Sequence, residues 1–130
     1  PKIAPNHVKR IKELIKQKFY DGIIFHRVIE GFMAQTGDPD GNGTGGSGKN
    51  LKAEFSDYKY KYGTVGMARS MNPDSGDSQF FICFNGCSHL TGQYTVWGQV
   101  VSGMEAVESL AVGEPPNSPD KMISVKLGKK

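Results

Sequence analysis

The sequence predicts a mainly β domain, in which at least six short strands form a closed or nearly closed barrel, accompanied by two helices. At least six short runs have the composition or alternation of strands, and turn-rich segments separate them. The 17 glycines cluster between these runs, where tight turns between strands require them. Two further segments have apolar residues at helical spacing. Together these observations favour a closed or nearly closed β barrel with two helices.

The two helices are predicted near the start of the chain and towards its end. Apolar residues recur at helical spacing over residues 5–18, and basic residues occupy the other faces of this helix. Its start has two readings: either Asn6 is the N-cap, or Pro5 occupies the first turn. The second helix is predicted to begin at about Gly103.

Two polar residues interrupt strands that are otherwise apolar. Arg27 shares one strand face with Phe25 and Ile29, and Gln79 shares a face with Phe81. The interruptions have two readings, which are a functional patch or polar side chains that are satisfied within the core. The predicted strands cover residues 23–29, 32–36, 63–68, 78–84, 94–101 and 122–127.

Charge and cysteine content narrow the class of protein. The net charge of +3 is too small to indicate nucleic-acid binding, and no apolar run is long enough to span a membrane. Cys83 and Cys87 match neither a redox pair nor a zinc ligand set, and their spacing permits a disulfide without requiring one. We expect two reduced thiols in a cytoplasmic monomer that binds neither nucleic acid nor membranes.

The glycine-rich loop at residues 37–48 contains two incomplete ligand-binding motifs. Residues 38–43 match the first half of an EF-hand loop, but its twelfth position, which should be Glu, is Lys49. Residues 43–50 nearly match a phosphate-binding loop, but Asn50 replaces the Ser or Thr that would bind magnesium. We therefore expect no metal and no cofactor at this loop.

Six runs of the sequence resemble the cyclophilins, a family of peptidyl-prolyl cis-trans isomerases. The resemblance covers nearly the whole chain in the family's order, as one domain over residues 1–130, and it implies an eight-stranded antiparallel barrel with two helices. The family has one or two further strands before the first helix, so we expect a truncated chain or an incomplete barrel. The matching runs are residues 19–22, 25–29, 31–39, 43–46, 63–68 and 78–82.

The resemblance also implies roles for individual residues, with Arg27 as the catalytic arginine. It implies that the pocket for the substrate proline is formed by Phe32, Met33, Phe81 and Leu90. It implies that the substrate backbone and the residues before the proline contact Gln35, Gln79, Gly43, Ala68 and Arg69.

Three positions depart from the best-studied members of the family. Arg69 stands where many members have Asn, Tyr94 replaces a frequent His at the pocket edge, and His89 replaces a Trp. The changes at Tyr94 and His89 resemble bacterial-type members. We therefore expect only weak binding of cyclosporin-type ligands.

The resemblance implies an isomerase that accelerates rotation about X-Pro bonds in proline-containing peptides and in unfolded or folding proteins. Rotation breaks no covalent bond, so the chemistry requires neither a nucleophile nor a metal, and a donor aimed at the amide nitrogen is sufficient. Two alternatives remain open at this stage. One is a low-turnover module or chaperone that binds proline peptides, and the other is a structural barrel in which Arg27 is inaccessible.

Overall fold

The computed structural model describes residues 3–128, and within that range two α-helices accompany one five-stranded antiparallel sheet. The helices are α1 (Pro5–Lys16) and α2 (Met104–Glu108), and a short 3-10 helix covers Ser88–Leu90. No helix in this range is both long enough and apolar enough to cross a bilayer. The strands are β1 (Arg27–Ile29), β2 (Met33–Thr36), β3 (Thr64–Met67), β4 (Phe80–Cys83) and β5 (Val96–Gln99).

The sheet has the order β1-β2-β4-β3-β5 and does not close into a barrel within the described residues. The mainly β class with two helices is confirmed. The predicted closing strand at 122–127 is wrong as a regular strand, although Met122 N donates to Ile23 O at 2.8 Å. Three residues further on, Val125 N donates to the Asp21 carboxylate and not to a backbone carbonyl, so the pairing does not continue as a regular strand.

The other five predicted strands are present but shorter than predicted. The clearest case is β1, which was expected from residue 23 and begins at Arg27. The preceding residues pair elsewhere: Phe25 N donates to Asp120 O at 2.8 Å, and Ile24 O accepts from the Thr36 hydroxyl at 2.8 Å. These partners are distant in sequence, so alternation alone places the strand ends incorrectly.

Helix α1 receives its N-terminal cap from a distant residue. Pro5 occupies the first turn, as one of the two readings predicted, and the reading of Asn6 as the N-cap is wrong. Glu54 accepts hydrogen bonds from Asn6 N at 3.2 Å and from His7 N at 2.8 Å. The buried His7 ring also donates to Glu54 through Nδ1, at 2.6 Å. A carboxylate therefore satisfies the orphan N–H groups at the positive end of the helix.

The two cysteines are joined in a disulfide, so the expectation of two reduced thiols is wrong. Cys83 ends β4, and the turn that follows brings Cys87 back to a Cα–Cα distance of 6.1 Å. Two backbone bonds fix that turn, since Phe84 N donates to Phe32 O and Gly86 N donates to Gly31 O. The cytoplasmic location was inferred from free thiols and stays a prediction.

Candidate active site

A row of directly opposed residues crosses four strands and supplies the floor of the site. Arg27 on β1 is paired with Gln35 on β2, Gln35 with Phe81 on β4, and Phe81 with Gly66 on β3. Directly opposed residues of antiparallel strands project to the same face of the sheet. The register therefore brings the guanidinium, the amide and the phenyl ring together.

Gly66 is the position in this row where a side chain would block the others. A Cβ atom at Gly66 would lie 2.7 Å from Cζ of Phe81 and would also clash with the Tyr60 hydroxyl. The bare backbone lets the Tyr60 and Phe81 rings stack with centroids 5.7 Å apart. Burial raises the pKa of Tyr60, and its hydroxyl donates to Tyr94 O at 2.9 Å. The Tyr60 ring thus packs against the face of Phe81 that points away from the cavity.

The cavity in front of Phe81, which we call the apolar pocket, has a volume of about 120 Å³. Its size suits one small ring, and its wall combines apolar side chains with the polar groups of Arg27, Gln35 and Arg69. It contains nine of the twelve site residues predicted from the sequence. The lining residues are Arg27, Phe32, Met33, Gln35, Ala68, Arg69, Phe81, Leu90 and Tyr94.

A second cavity, which we call the polar cavity, adjoins the apolar pocket and has a volume of about 380 Å³. It shares Gln35, Ala68 and Arg69 with the apolar pocket. Two of the remaining predicted residues, Gln79 and Gly43, line this polar cavity instead. The glycine-rich loop was interpreted from the sequence as a rim of the substrate groove, but only Gly43 was named as a site residue there. The other lining residues, none of which was named, are Thr44, Gly45, Gly46, Asn50, Ser70, Ser75 and Asp77.

The twelfth predicted residue, His89, lines neither cavity. Its ring stacks on Phe32 with centroids 5.7 Å apart and planes 28° apart. His89 thus supports a wall of the apolar pocket from outside.

Arg27 begins a chain of hydrogen bonds that joins the two cavities. Its Nη1 donates to Oε1 of Gln35 at 3.4 Å, and Nε2 of Gln35 donates to Oε1 of Gln79 at 2.9 Å. Nε2 of Gln79 then donates to Gly45 O at 2.9 Å. On its other edge, Arg27 Nε donates to Oε1 of Glu114 at 2.7 Å. Nη2 of Arg27 makes no hydrogen bond within residues 3–128 and remains available as a donor.

Arg27 is accessible, since 42% of its side chain is exposed and it lines the apolar pocket. The structural barrel with an inaccessible Arg27 is therefore wrong. The guanidinium stays charged at any physiological pH and presents several donors in one plane. The site thus has a fixed donor beside an apolar wall.

Arg69 lies at the opposite edge of the apolar pocket and is held differently. Its Nη2 donates to Gln93 O at 2.9 Å and its Nη1 donates to Ser70 O at 2.9 Å. The guanidinium lies 4.5 Å from the centre of the Tyr94 ring, a cation–π distance. No carboxylate pairs with it within 4.0 Å in the described part of the chain. Its positive charge is fixed in place but not neutralised by a carboxylate.

The glycine-rich loop is wound around two carboxylates, the first of which is Asp38. Asp38 is buried and accepts hydrogen bonds from the backbone N–H groups of Asp40, Asn42 and Gly43. Burial raises the pKa of Asp38, but these N–H groups and that of Gly45 outweigh it and hold the pKa below its ordinary value. The residues of the EF-hand-like fragment thus surround a carboxylate that belongs to the loop itself.

Asp77 is the second of these carboxylates. It accepts from Ser47 N at 2.9 Å and from Gly48 N at 3.0 Å, and the Ser47 hydroxyl also donates to it. The phosphate-loop-like fragment is therefore closed over an internal anion. Across residues 3–128, no group of three or more His, Cys, Asp or Glu side chains is arranged to hold a metal ion.

His26 is buried behind Arg27 on the other face of the strand. Its exposed fraction is 5%, and neither ring nitrogen has a hydrogen-bond partner among the described residues. Burial lowers the pKa of His26, Arg27 lowers it further and Asp38 partly opposes both. We expect a neutral imidazole at pH 7, which adds no positive charge beside Arg27.

The geometry agrees with a comparison against known families. A family model described as cyclophilin type peptidyl-prolyl cis-trans isomerase/CLD matches residues 1–127. This chain belongs to that family. The resemblance to the cyclophilins, drawn from six runs of the sequence, is confirmed.

Individual cyclophilins agree with the family assignment. A probable peptidyl-prolyl cis-trans isomerase of Brucella abortus is 49% identical over 144 residues, covering 98% of this chain and 74% of its own. Peptidyl-prolyl cis-trans isomerase B of Bacillus subtilis is 41% identical over 116 residues, covering 88% of this chain and 80% of its own. These relatives indicate that this cyclophilin is an isomerase.

A solved structure supports the fold. It is a cyclophilin type isomerase of Cryptosporidium parvum, crystallised in the presence of the dipeptide ala-pro. It superposes with a TM-score of 0.90 at 27% identity, covering 99% of this chain and 89% of that one.

Proposed function

We propose that this cyclophilin binds the substrate proline in the apolar pocket and uses Arg27 to stabilise the twisted amide during rotation. The single observation that carries the proposal is the position of Arg27, whose guanidinium lines the pocket and whose Nη2 makes no hydrogen bond within residues 3–128. The substrates are proline-containing peptides and unfolded or folding proteins.

The chemistry needs a donor because of what happens at the amide nitrogen. In a planar amide the lone pair is conjugated, and this resonance creates a rotational barrier of about 18–20 kcal/mol. At the twisted transition state the lone pair is localised on nitrogen. A donor aimed at that nitrogen binds the transition state more strongly than the planar ground state.

The required stabilisation is within reach of a few contacts. A hundred-thousandfold acceleration corresponds to about 7 kcal/mol. Hydrogen bonds to charged groups contribute about 1.5–3 kcal/mol each. Orientation by Phe32, Met33, Phe81 and Leu90 supplies the rest, because a ring held in the pocket leaves the preceding carbonyl as the part that moves.

The substrate backbone is expected to lie across the chain of amides from Gln35 to Gln79. An extended peptide alternates its side chains, so the residue two positions before the proline projects to the same side as the ring. The adjoining polar cavity is the space on that side. The Cryptosporidium parvum cyclophilin, crystallised in the presence of ala-pro, supports a proline-containing ligand for this chain too.

Exchange NMR on an Ala-Pro peptide tests the proposal. We expect catalytic amounts of the protein to accelerate cis-trans exchange, and Arg27→Ala to lower kcat/KM by about 10²–10³, the usual cost of removing one transition-state donor. Lys12→Ala on the exposed face of α1 removes an equal charge away from the site and should leave kcat/KM unchanged. Peptide binding without accelerated exchange would instead support the low-turnover binding module.

A further inference from the structure

Glu114 lies next to Arg27 because of a backbone pairing across 85 residues of sequence. Val28 N donates to Gly113 O at 2.9 Å, and Gly113 N donates to Val28 O at 3.0 Å. In an antiparallel bridge the residue before Val28 faces the residue after Gly113. The bridge therefore places Glu114 opposite Arg27.

The segment that carries Glu114 is tightly folded. Gly113 has φ of +150°, and a Cβ atom there would lie 2.6 Å from Cα of Pro116. Pro115 and Pro116 each restrict their own φ, and Pro116 is buried. The backbone of Glu114 is thus fixed by its neighbours, and its side chain reaches Arg27 from a defined position.

The contact restrains the guanidinium on an edge that Gln35 does not reach. Glu114 Oε1 accepts from Arg27 Nε at 2.7 Å, while Gln35 Oε1 accepts from Nη1 at 3.4 Å. Two acceptors on two edges of a planar group fix the orientation of the plane. A single acceptor would leave the guanidinium free to rotate about its one hydrogen bond.

We propose that Glu114 is a positioning residue, which holds the guanidinium of Arg27 so that its remaining donors meet the amide nitrogen of the substrate. This inference rests on the proposed role of Arg27. Its action is through orientation, because both side chains are substantially exposed, at 42% and 57%, and solvent screens the attraction between their charges. For the same reason, removing Glu114 should leave the fold intact.

The test compares Glu114→Ala, Glu114→Gln and the control Glu30→Gln in the peptide-exchange assay, with kcat and KM measured separately. Glu30 is exposed in the turn after β1 and makes no side-chain hydrogen bond among residues 3–128, so its replacement removes the same charge without the contact. We expect Glu114→Ala to lower kcat about three- to tenfold at nearly constant KM, since small displacements of catalytic groups are costly. Glu114→Gln keeps an acceptor and should stay within about twofold of the wild type.

An NMR readout of Arg27 makes the result independent of activity. The Nε–H resonance of Arg27 should be protected from solvent exchange in the wild type, in Glu114→Gln and in Glu30→Gln, and lose protection in Glu114→Ala. Backbone amide spectra report that each variant is folded. If the wild type does not accelerate exchange, the proposed function is refuted. The Arg27 Nε–H resonance still reports whether Glu114 contacts Arg27, whether or not the protein is active.

Three results would overturn the positioning role. The first is a kcat of Glu114→Ala equal to that of the wild type. The second is a loss in Glu114→Gln as large as in Glu114→Ala, which would show that charge and not position matters. The third is an Arg27 Nε–H resonance that does not change when Glu114 is replaced by Ala.

Discussion

The apolar pocket and the polar cavity adjoin each other, yet different interactions hold them in shape. The wall of the apolar pocket lies mostly on or beside strands, and the register of β2, β3 and β4 sets the position of Phe81 against Gly66. The outer wall of the polar cavity is the glycine-rich loop, which contains no strand and is held by Asp38 and Asp77. Packing volume therefore controls the shape of the apolar pocket, and hydrogen bonds to two carboxylates hold the outer wall of the polar cavity.

The largest effect is expected from filling the space at Gly66. Gly66→Ala should lower the free energy of unfolding by about 1–3 kcal/mol, as overpacking does, because Cβ would lie 2.7 Å from Cζ of Phe81. It should also lower kcat/KM at least tenfold, since Phe81 must move into the apolar pocket. Urea unfolding and peptide exchange measure the two effects.

Gly98→Ala is the matched control for this change. Gly98 lies on β5, where a new Cβ would approach Val65 no closer than 3.4 Å, an ordinary contact. This variant should retain nearly full stability and activity. If Gly98→Ala lost as much stability and activity as Gly66→Ala, any strand glycine would have this effect and the space at Gly66 would not be the cause.

A smaller and more selective effect is expected at Asp77. Asp77→Ala leaves the N–H groups of Ser47 and Gly48 without their acceptor and should loosen the outer wall of the polar cavity. We expect kcat/KM for a six-residue proline peptide to fall about three- to fivefold. The value for a minimal Ala-Pro substrate should not change, because the apolar pocket is intact. Equal losses for both substrates would contradict the separation of the two regions.

The pH dependence of the free energy of unfolding should reveal the stabilising contribution of the Asp38 carboxylate. Its folded-state pKa is lowered, so its contribution is complete above the unfolded pKa of about 3.9 and is lost as the pH falls through the folded pKa below it. The difference in free energy of unfolding between the wild type and Asp38→Asn should therefore shrink between pH 5 and pH 2. Denaturant unfolding at several pH values measures it.

The exposed residue Asp57 supplies the control for the pH experiment. Its side chain makes no hydrogen bond within the described range. The free energy of unfolding of Asp57→Asn should therefore differ little from that of the wild type, and the difference should change little with pH. A difference for Asp38→Asn that stays constant down to pH 2 would refute the role assigned to Asp38.

The smallest expected effect is a charge preference set by Arg69. Its guanidinium faces both cavities without a carboxylate partner among residues 3–128, and Asp77 in the same cavity already accepts three hydrogen bonds. Peptides with Glu two positions before proline should be converted about two- to fivefold faster than those with Lys. In Arg69→Gln the ratio of the two kcat/KM values should approach one. A ratio unaffected by the substitution would rule out this preference.

The sequence predicted the parts of the site that depend on local pattern. Alternation placed Arg27 on a strand face, and Arg27 does begin β1. It placed Gln79 on a strand face too, but β4 begins one residue later, at Phe80. The family resemblance grouped nine residues that line one pocket. Such features follow from spacing within one strand or from motifs of a few residues. The pairing of strands then brings them together without further information.

The parts that sequence reasoning missed depend on contacts between distant segments. Glu114 reaches Arg27 through a backbone bridge at Gly113, and Glu54 caps a helix that begins 49 residues earlier. Neither segment carries a periodic signal, because loops are positioned by their partners and not by their own pattern. The disulfide was missed for a similar reason, since the turn that joins the cysteines is fixed by Gly31 and Phe32.

The capping of α1 by Glu54 also affects the order of folding. A helix of 12 residues is marginal in water by itself, and here the acceptor for its first N–H groups lies far along the chain. A ribosome makes the chain from its N-terminus, so α1 is synthesised before the residue that caps it. Helix α1 is thus made before its own cap, and the nascent chain must carry an uncapped, basic amphipathic segment until Glu54 arrives.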